Sequence, residues 1–249
     1  MSGPLWRALC AAASFALVPI AAAQASPSEA GAPHAFTSVP LPVGHMPFDA
    51  AWRRVLAAPP PSSSASESGQ LSGLAKLRFV NAWANKRVAY KKDRGNWGAD
   101  DYWATAGETL AKGAGDCEDL AILKMQLLRA AGVPASRIYL VVGHGRIARR
   151  AHATLLVRES GKLWVLDGST DSIHNSDEYT DFRPVMSFGA HGQWLHGYKA
   201  GTAPAGDYGD AVTREHGIIP AAVGPALAAT IAAQDGASRS RGTRRLLPR

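Results

Sequence analysis

The chain has 249 residues, of which 46% are hydrophobic and 19% charged. This composition allows one sizeable hydrophobic core, and a single domain is the simplest organisation. The formal net charge of +7 does not indicate nucleic-acid binding: Arg7 and five arginines of the last eleven residues lie outside 26–235, which itself carries a formal charge of +1.

The N-terminus has the layout of a secretory signal. Arg7 precedes an apolar segment, 8–23, which is followed by small residues at Ala23 and Ala25. The apolar segment is short for a bilayer span, so we expect cleavage after Ala25, with an uncleaved membrane anchor as the alternative. Cleavage would export the protein and leave it without a stable membrane span.

Cleavage would also remove Cys10 and leave Cys117 as the one cysteine of the mature chain. Exported proteins usually pair their cysteines, so a single cysteine is a candidate reactive thiol. The alternative is a buried, inert cysteine.

The residues before the cysteine divide into five predicted segments. Pro, Ala and Ser dominate an extended lead-in and a later flexible loop, whereas helical spacing of apolar residues predicts two helices, with Phe79 and Trp83 of the longer one in the core. A long ordered loop then leads to the cysteine, with Trp103 either in a substrate groove or in the core. In chain order these segments are the lead-in (26–47), a short helix (Phe48 to Leu56), the flexible loop (58–70), the longer helix (Leu71 to Tyr90) and the ordered loop (91–116).

Cys117 is predicted at the first position of a helix that ends near Gly132 and Pro134. Asp116 is expected to cap this helix, with Asp119 three residues later as an approximate capping box. The free amides and partial positive charge of a helix N-terminus favour a thiolate. The neighbouring acids oppose it, because like charges disfavour ionisation.

Three β-rich runs follow: Arg137 to His144, His152 to Glu159, and Lys162 to Ser169. Ser160-Gly161 predicts a hairpin turn between the last two. In that register His152 and Asp167 are diagonal neighbours on the same face of the sheet, so their side chains can touch.

A cysteine at a helix start, followed by a histidine and an acid on one strand face, is the arrangement of cysteine hydrolases with a catalytic triad. His152 would be the general base and Asp167 the residue that orients it. His144, in a predicted loop, is the rival base, and Asp171, in a predicted solvated acidic loop, is the rival orienting acid. Zinc is disfavoured because one thiol and one histidine lack a close ligand pair. Three further histidines are expected at the surface: His174, His191 and His196.

The motifs "DYWATAGETLAKGAGDCEDLAILKMQLLRAAGVP", "AHATLLV", "LWVLDG" and "DFRPVMSFG" resemble the bacterial transglutaminase-like cysteine proteinases over roughly 48–198. This resemblance implies an α+β papain-like or transglutaminase-like fold, a helical part with Cys117 packed on an antiparallel sheet, and a triad of Cys117, His152 and Asp167. The chain departs from the family pattern at Gly168, where asparagine is expected, and at Ala106, where proline is usual.

The resemblance further implies a calcium-dependent periplasmic endopeptidase that cleaves a large surface adhesin and so controls biofilm attachment, with an inner-membrane receptor that sequesters it. The same triad would also suit a transglutaminase or amidase, and a non-catalytic calcium-dependent binding protein is the alternative outside the enzymes. The predicted organisation is a signal peptide (1–25), the lead-in (26–47), a protease domain (48–200) and a C-terminal extension (201–249) with a basic, disordered tail, for which a contact with anionic lipid is the alternative.

The resemblance also assigns Asp116 and Glu118 as calcium ligands. Their oxygens suit a hard cation of irregular coordination, and the ion would offset the negative charge beside the thiol. Asp119 is either a third ligand or a helix cap. The alternative is that these acids only complement the helix dipole.

Overall fold

The computed structural model describes residues 31–61, 68–147 and 149–198. The predicted signal peptide, the C-terminal extension and part of the predicted flexible loop lie outside the described residues. The helices are α1 (Asp49–Ala57), α2 (Gly73–Arg87), α3 (Asp93–Asn96), α4 (Ala106–Lys112) and α5 (Cys117–Ala130). The strands are β1 (Val39–Val43), β2 (Ala89–Tyr90), β3 (Ala114–Gly115), β4 (Ile138–Gly145), β5 (Arg150–Glu159), β6 (Lys162–Leu166), β7 (Ile173–Asn175), β8 (Phe182–Gly189) and β9 (Gln193–Gly197).

Seven strands form one antiparallel sheet in the order β1-β9-β8-β4-β5-β6-β7. Part of the predicted lead-in is therefore integral to the fold, because β1 pairs with β9 at one edge. Its sequence VPLPV contains two prolines, which an edge strand tolerates because its outer amides need no partner. The predicted mixture of helices and antiparallel sheet is confirmed.

Helix α5 is the central element of the fold. It packs against β4 and β5 of the sheet and against α2 and α4 on its other sides. The sequence predicts one apolar face, but every residue from Glu118 to Leu128 is buried. A helix surrounded by protein has no solvent face, so its polar residues at both ends are buried among the neighbouring elements.

The β5–β6 hairpin forms in the predicted register. Ser160 and Gly161 have φ values of 51° and 76°, the left-handed conformations that a two-residue hairpin turn of type I′ requires. Leu155 lies opposite Leu166. Strand β6 ends at Leu166, so Asp167 is the first residue beyond the strand.

The segment predicted as a long ordered loop, 91–116, is more structured than expected. It contains α3, α4 and β3, and β3 forms a short parallel pair with β2. Helix α4 begins with a capping box in which Thr105 and Glu108 exchange side-chain and backbone hydrogen bonds. Threonine followed three residues later by glutamate is a sequence signal for this start. The β2–β3 pair, by contrast, joins two-residue strands that sequence periodicity cannot reveal.

None of the helices in the described ranges is long and apolar enough to cross a membrane.

Candidate active site

Cys117 is the first residue of α5, as predicted, and Asp116 occupies the N-cap position. The predicted capping box does not form, since the Asp116 side chain makes no capping hydrogen bond. The carboxylate of Asp119 instead accepts hydrogen bonds from the backbone N–H of Ala104 at 2.7 Å and from Nε1 of Trp97 at 3.2 Å. Asp119 therefore ties the loop before α4 to the helix that carries the cysteine.

His152 and Asp167 are in contact, as the hairpin register predicts. His152 Nε2 lies 2.7 Å from Asp167 Oδ2. The other carboxylate oxygen, Oδ1, accepts hydrogen bonds from the backbone N–H of Ser169 at 2.8 Å and from its hydroxyl at 2.7 Å. Although burial opposes ionisation, the bonds from His152 and Ser169 hold the pKa of Asp167 well below its usual range. Asp167 is thus a buried carboxylate that fixes the imidazole.

The thiol of Cys117 lies against the strand that carries His152. The backbone N–H of Ala153, the residue next to His152, favours the ionised form of the thiol and so opposes the rise in its pKa. The thiol donates to Glu118 Oε2 at 3.1 Å. Because Asp167 occupies Nε2 of the imidazole, Nδ1 is the ring nitrogen left for the thiol.

The electrostatic surroundings of this thiol are unfavourable for a nucleophile. Burial, followed by the charges of Glu118 and Asp116, raises the pKa of Cys117 well above its usual range. Without an added positive charge the protonated thiol is favoured at neutral pH.

Asp93 and four neighbouring acids form what we call the acid cluster: Asp93, Asp101, Asp116, Glu118 and Asp119. Carboxylate oxygens of Asp93, Asp116 and Asp119 lie within 4.8 Å of one another, and so do those of Asp93, Asp101 and Glu118. The acids around Cys117 are evident from the sequence, whereas Asp93 and Asp101 were not predicted to join them. The signal available was the stretch DRGNWGADD, whose glycines, asparagine and acids are typical of loops with oxygen ligands.

The acid cluster is incompatible with full ionisation. Burial and the neighbouring acids raise the pKa of Asp116 to about 10, and burial raises those of Asp119 to about 7 and Asp93 to about 6. Asp93 Oδ1 and Asp116 Oδ1 are buried and accept no hydrogen bond from the described residues. Oxygens that lack donors, in a site of several acids, fit a hard divalent cation.

One rival site residue lies elsewhere than predicted: His144 is buried in β4 and not in a loop, because Gly143 and Gly145 continue the strand. The other rival, Asp171, is exposed and lies outside the helices and strands, as predicted, and it accepts a hydrogen bond from Asn85 Nδ2 at 3.2 Å. The predicted loop after it is partly structured, because it contains β7.

Three other predicted positions have clear outcomes. His196 is buried in β9 between Ser38 and Ser187, so the expectation of a surface histidine was wrong. Trp103 is in the core, stacked on Phe48 with ring centroids 4.7 Å apart. A side chain at Gly168 would come within 3.2 Å of Leu120, which gives a physical reason for glycine in this chain.

A buried lysine that the sequence did not indicate lies next to the segment that carries Asp167. Lys124 is fully buried in α5, with Nζ 3.5 Å from the backbone oxygen of Leu166. Burial lowers the pKa of Lys124 to about 7, while the charges of Asp167 and Asp171 oppose this shift. The ammonium group is therefore costly to bury below neutral pH.

We expect Lys124→Met to raise the melting temperature near pH 6, because it removes an ammonium group whose charged form is destabilised by burial. The gain should shrink from about pH 7 to 10.5, because the folded wild type loses its proton there while the unfolded chain keeps it. Thermal unfolding at several pH values measures this, with Met125→Leu as an uncharged control in the same helix. A gain that did not depend on pH would contradict the role of the charge.

The sequence of this chain matches the model of the bacterial transglutaminase-like cysteine proteinases over residues 36–196. The chain belongs to this family. As a bacterial transglutaminase-like cysteine proteinase, it is a cysteine protease, a hydrolase of peptide bonds. The match begins before β1 and ends in β9, so it spans the whole seven-stranded sheet.

Solved structures and a curated protein also resemble this family member. Legionella pneumophila LapG in its calcium-bound form is 24% identical, with a TM-score of 0.49, and the match covers 68% of this chain and 98% of LapG. The EGTA-treated form is 23% identical, with a TM-score of 0.47, and the match covers 72% and 100%. The UPF0252 protein PH0672 of Pyrococcus horikoshii is 30% identical over 92 residues, which are 37% of this chain and 28% of that protein. The chain thus spans about a quarter of the length of this curated relative.

Proposed function

We propose that this protease is an exported endopeptidase of the periplasm in which Cys117 is the nucleophile, His152 the general base and Asp167 the residue that orients the imidazole. The observation that carries the proposal is the 2.7 Å contact between His152 Nε2 and Asp167 Oδ2, which leaves Nδ1 for the thiol. The packing of α5, which begins at Cys117, against β5, which carries His152, supports the same assignment.

In the proposed reaction, His152 Nδ1 takes the thiol proton and the sulfur attacks the scissile carbonyl carbon. The backbone N–H of Cys117, at the first position of α5, has no acceptor within the helix and can donate to the oxyanion. The imidazolium then protonates the leaving amine, which frees the new N-terminus and leaves a thioester. Water, deprotonated by His152, hydrolyses the thioester and restores the thiol.

Calcium is part of the proposal. Asp116 and Glu118 would hold the ion, and the buried Oδ1 of Asp93 is a third donor that the fold adds. Asp119 is a weaker candidate because both its oxygens already accept hydrogen bonds. A bound Ca²⁺ would supply positive charge that offsets the acids next to the thiol.

The substrate proposed is a large adhesin at the cell surface, whose release would control biofilm attachment, and an inner-membrane receptor would sequester the protease. This part of the proposal follows from the family resemblance of the sequence. The apolar N-terminal segment with small residues after it supports export.

The experiment that tests the substrate is digestion of envelope proteins from the source cell by wild type and by Cys117→Ala, with and without calcium. Fragments are identified by mass spectrometry. We expect a large surface protein to be cleaved by wild type only, and only with calcium. Cleavage confined to small periplasmic proteins would overturn the adhesin proposal, and incorporation of a labelled amine without cleavage would favour a transglutaminase.

A further inference from the structure

Tyr90 is a large exposed side chain beside the nucleophile. It is 55% exposed and belongs to β2, where it lies opposite Gly115 of β3. Gly115 precedes Cys117 by two residues, so the β2–β3 pair places Tyr90 next to the turn that leads into α5. An exposed tyrosine offers an apolar ring and a hydroxyl to a ligand.

Arg150 contacts Tyr90 from β5, the strand that carries His152. It is exposed, and its guanidinium carbon lies 5.5 Å from the centroid of the Tyr90 ring. It precedes His152 by two residues on β5, so both side chains leave the same face of the strand. The stacked pair therefore connects the segment before Cys117 with the strand that carries His152.

The guanidinium of Arg150 forms no ion pair with a carboxylate of the described residues. In the connection between β4 and β5, Arg146 and Arg149 are exposed as well. The acid packed against this connection, Asp181, accepts a hydrogen bond from the backbone N–H of Ile147 at 2.6 Å. The three exposed arginines of this segment, Arg146, Arg149 and Arg150, thus lie close together in the sequence and are all positively charged.

In the part of the chain that the structure describes, the acids near Cys117 form no ion pair with Arg150. Asp116 and Glu118 are buried, and their oxygens belong to the acid cluster. A substrate polypeptide that entered the site beside Tyr90 would contact its aromatic ring and the guanidinium group of Arg150. The hydrogen-bonding edge of that guanidinium is suited to a carboxylate.

We propose that Tyr90 and Arg150 form a substrate subsite that takes an aspartate or glutamate side chain close to the scissile bond. The Tyr90 ring would pack against the substrate chain, and the Arg150 guanidinium would pair with the substrate carboxylate. This inference rests on the proposed roles of Cys117 and His152, and it adds a preference for acidic segments in the protein substrate.

The first test is cleavage of a proteome-derived peptide library by the full chain in calcium-containing buffer, with mass spectrometry of the cut ends. Wild type should cut peptides enriched in Asp or Glu at one position near the cut. Arg150→Glu should reverse that preference toward Lys and Arg, with a change in the ratio of kcat/KM for acidic over basic peptides of about tenfold or more. Arg150→Lys should retain the wild-type preference.

The matched control is Lys162→Glu. Lys162 is also exposed and lies opposite Glu159 at the far end of β5, so the same change of charge is made away from the site. It should leave the profile unchanged. Cleavage without any acidic preference, or a preference unaffected by Arg150→Glu, would overturn the subsite. Absence of cleavage by wild type as well as Cys117→Ala would instead contradict the proposed protease function.

The second test needs no substrate. Anionic iodoacetate and neutral iodoacetamide both alkylate Cys117, and the ratio of their rates reports the charge near the thiol. Arg150→Glu should lower this ratio about threefold at low salt, an effect that high salt should screen. An unchanged ratio, with Lys162→Glu again as the control, would show that Arg150 does not face the path to the thiol.

Discussion

Replacement of Cys117 by alanine is expected to abolish peptide-bond cleavage, because the sulfur is the proposed attacking atom. His152→Ala should cause a loss of similar size, about 10⁴-fold or more in kcat, since members of a triad act as one unit. Asp167→Asn keeps a side chain of the same size but removes the charge that Nε2 contacts at 2.7 Å. It should leave a larger residual rate than either of the other two changes.

The controls for this prediction are two residues whose side chains make no hydrogen bond to His152 in the described part of the chain. His174 is exposed on β7, and Asp171, the rival orienting acid, contacts Asn85. His174→Ala and Asp171→Ala should retain most of the activity. Circular dichroism must show that each variant is folded. A folded Cys117→Ala or His152→Ala variant with wild-type turnover would refute the triad, and loss of activity in Asp171→Ala alone would move the orienting role to Asp171.

Removal of calcium is expected to have the second-largest effect. Chelation with EGTA should stop cleavage and lower the melting temperature, and added calcium should restore both. At a concentration about 100 times its dissociation constant, a ligand specific to the folded state adds about 2.7 kcal/mol to the free energy of unfolding. The acid cluster, which is destabilised by mutual repulsion without a cation, is the physical reason for this dependence.

Variants of single acids locate the ion. Asp116→Ala and Glu118→Ala should behave like the chelated wild type, and Asp93→Ala should weaken calcium binding measured by calorimetry. Asp100→Ala is the matched control. Asp100 directly precedes Asp101 of the acid cluster, but its side chain is exposed and paired with Arg94. Full activity in EGTA, with no heat of calcium binding, would mean that Asp116 and Glu118 only complement the dipole of α5.

The positions of Cys117, His152 and Asp167 could be predicted because each depends on local rules. An aspartate before an apolar helical repeat marks a helix start, and the two-residue turn at Ser160-Gly161 fixes which residues of β5 and β6 lie opposite each other. Both features are encoded within about 20 residues of sequence.

The remainder of the site depends on contacts between segments that are distant in the sequence. Asp93 reaches Asp116 because two-residue strands, β2 and β3, pair in parallel, and no periodicity marks such short strands. His196 is buried for a similar reason: β9 pairs with both β1 and β8, so Ser38, which directly precedes β1, and Ser187 of β8 both contact its ring. The sequence left Asp119 as either a third calcium ligand or a helix cap, whereas in the structure its carboxylate accepts hydrogen bonds from Ala104 and Trp97.

The most direct measurement of the central claim is the pH dependence of Cys117 alkylation by iodoacetamide, with calcium and with EGTA. Burial and the neighbouring acids raise the pKa of the Cys117 thiol. We propose that the thiol becomes a nucleophile when a cation occupies the acid cluster and His152 accepts the thiol proton. With calcium, we predict rapid alkylation at neutral pH that His152→Ala abolishes. With EGTA, we predict alkylation only above the pH at which an ordinary thiol ionises. Identical pH profiles in the two buffers would contradict the account.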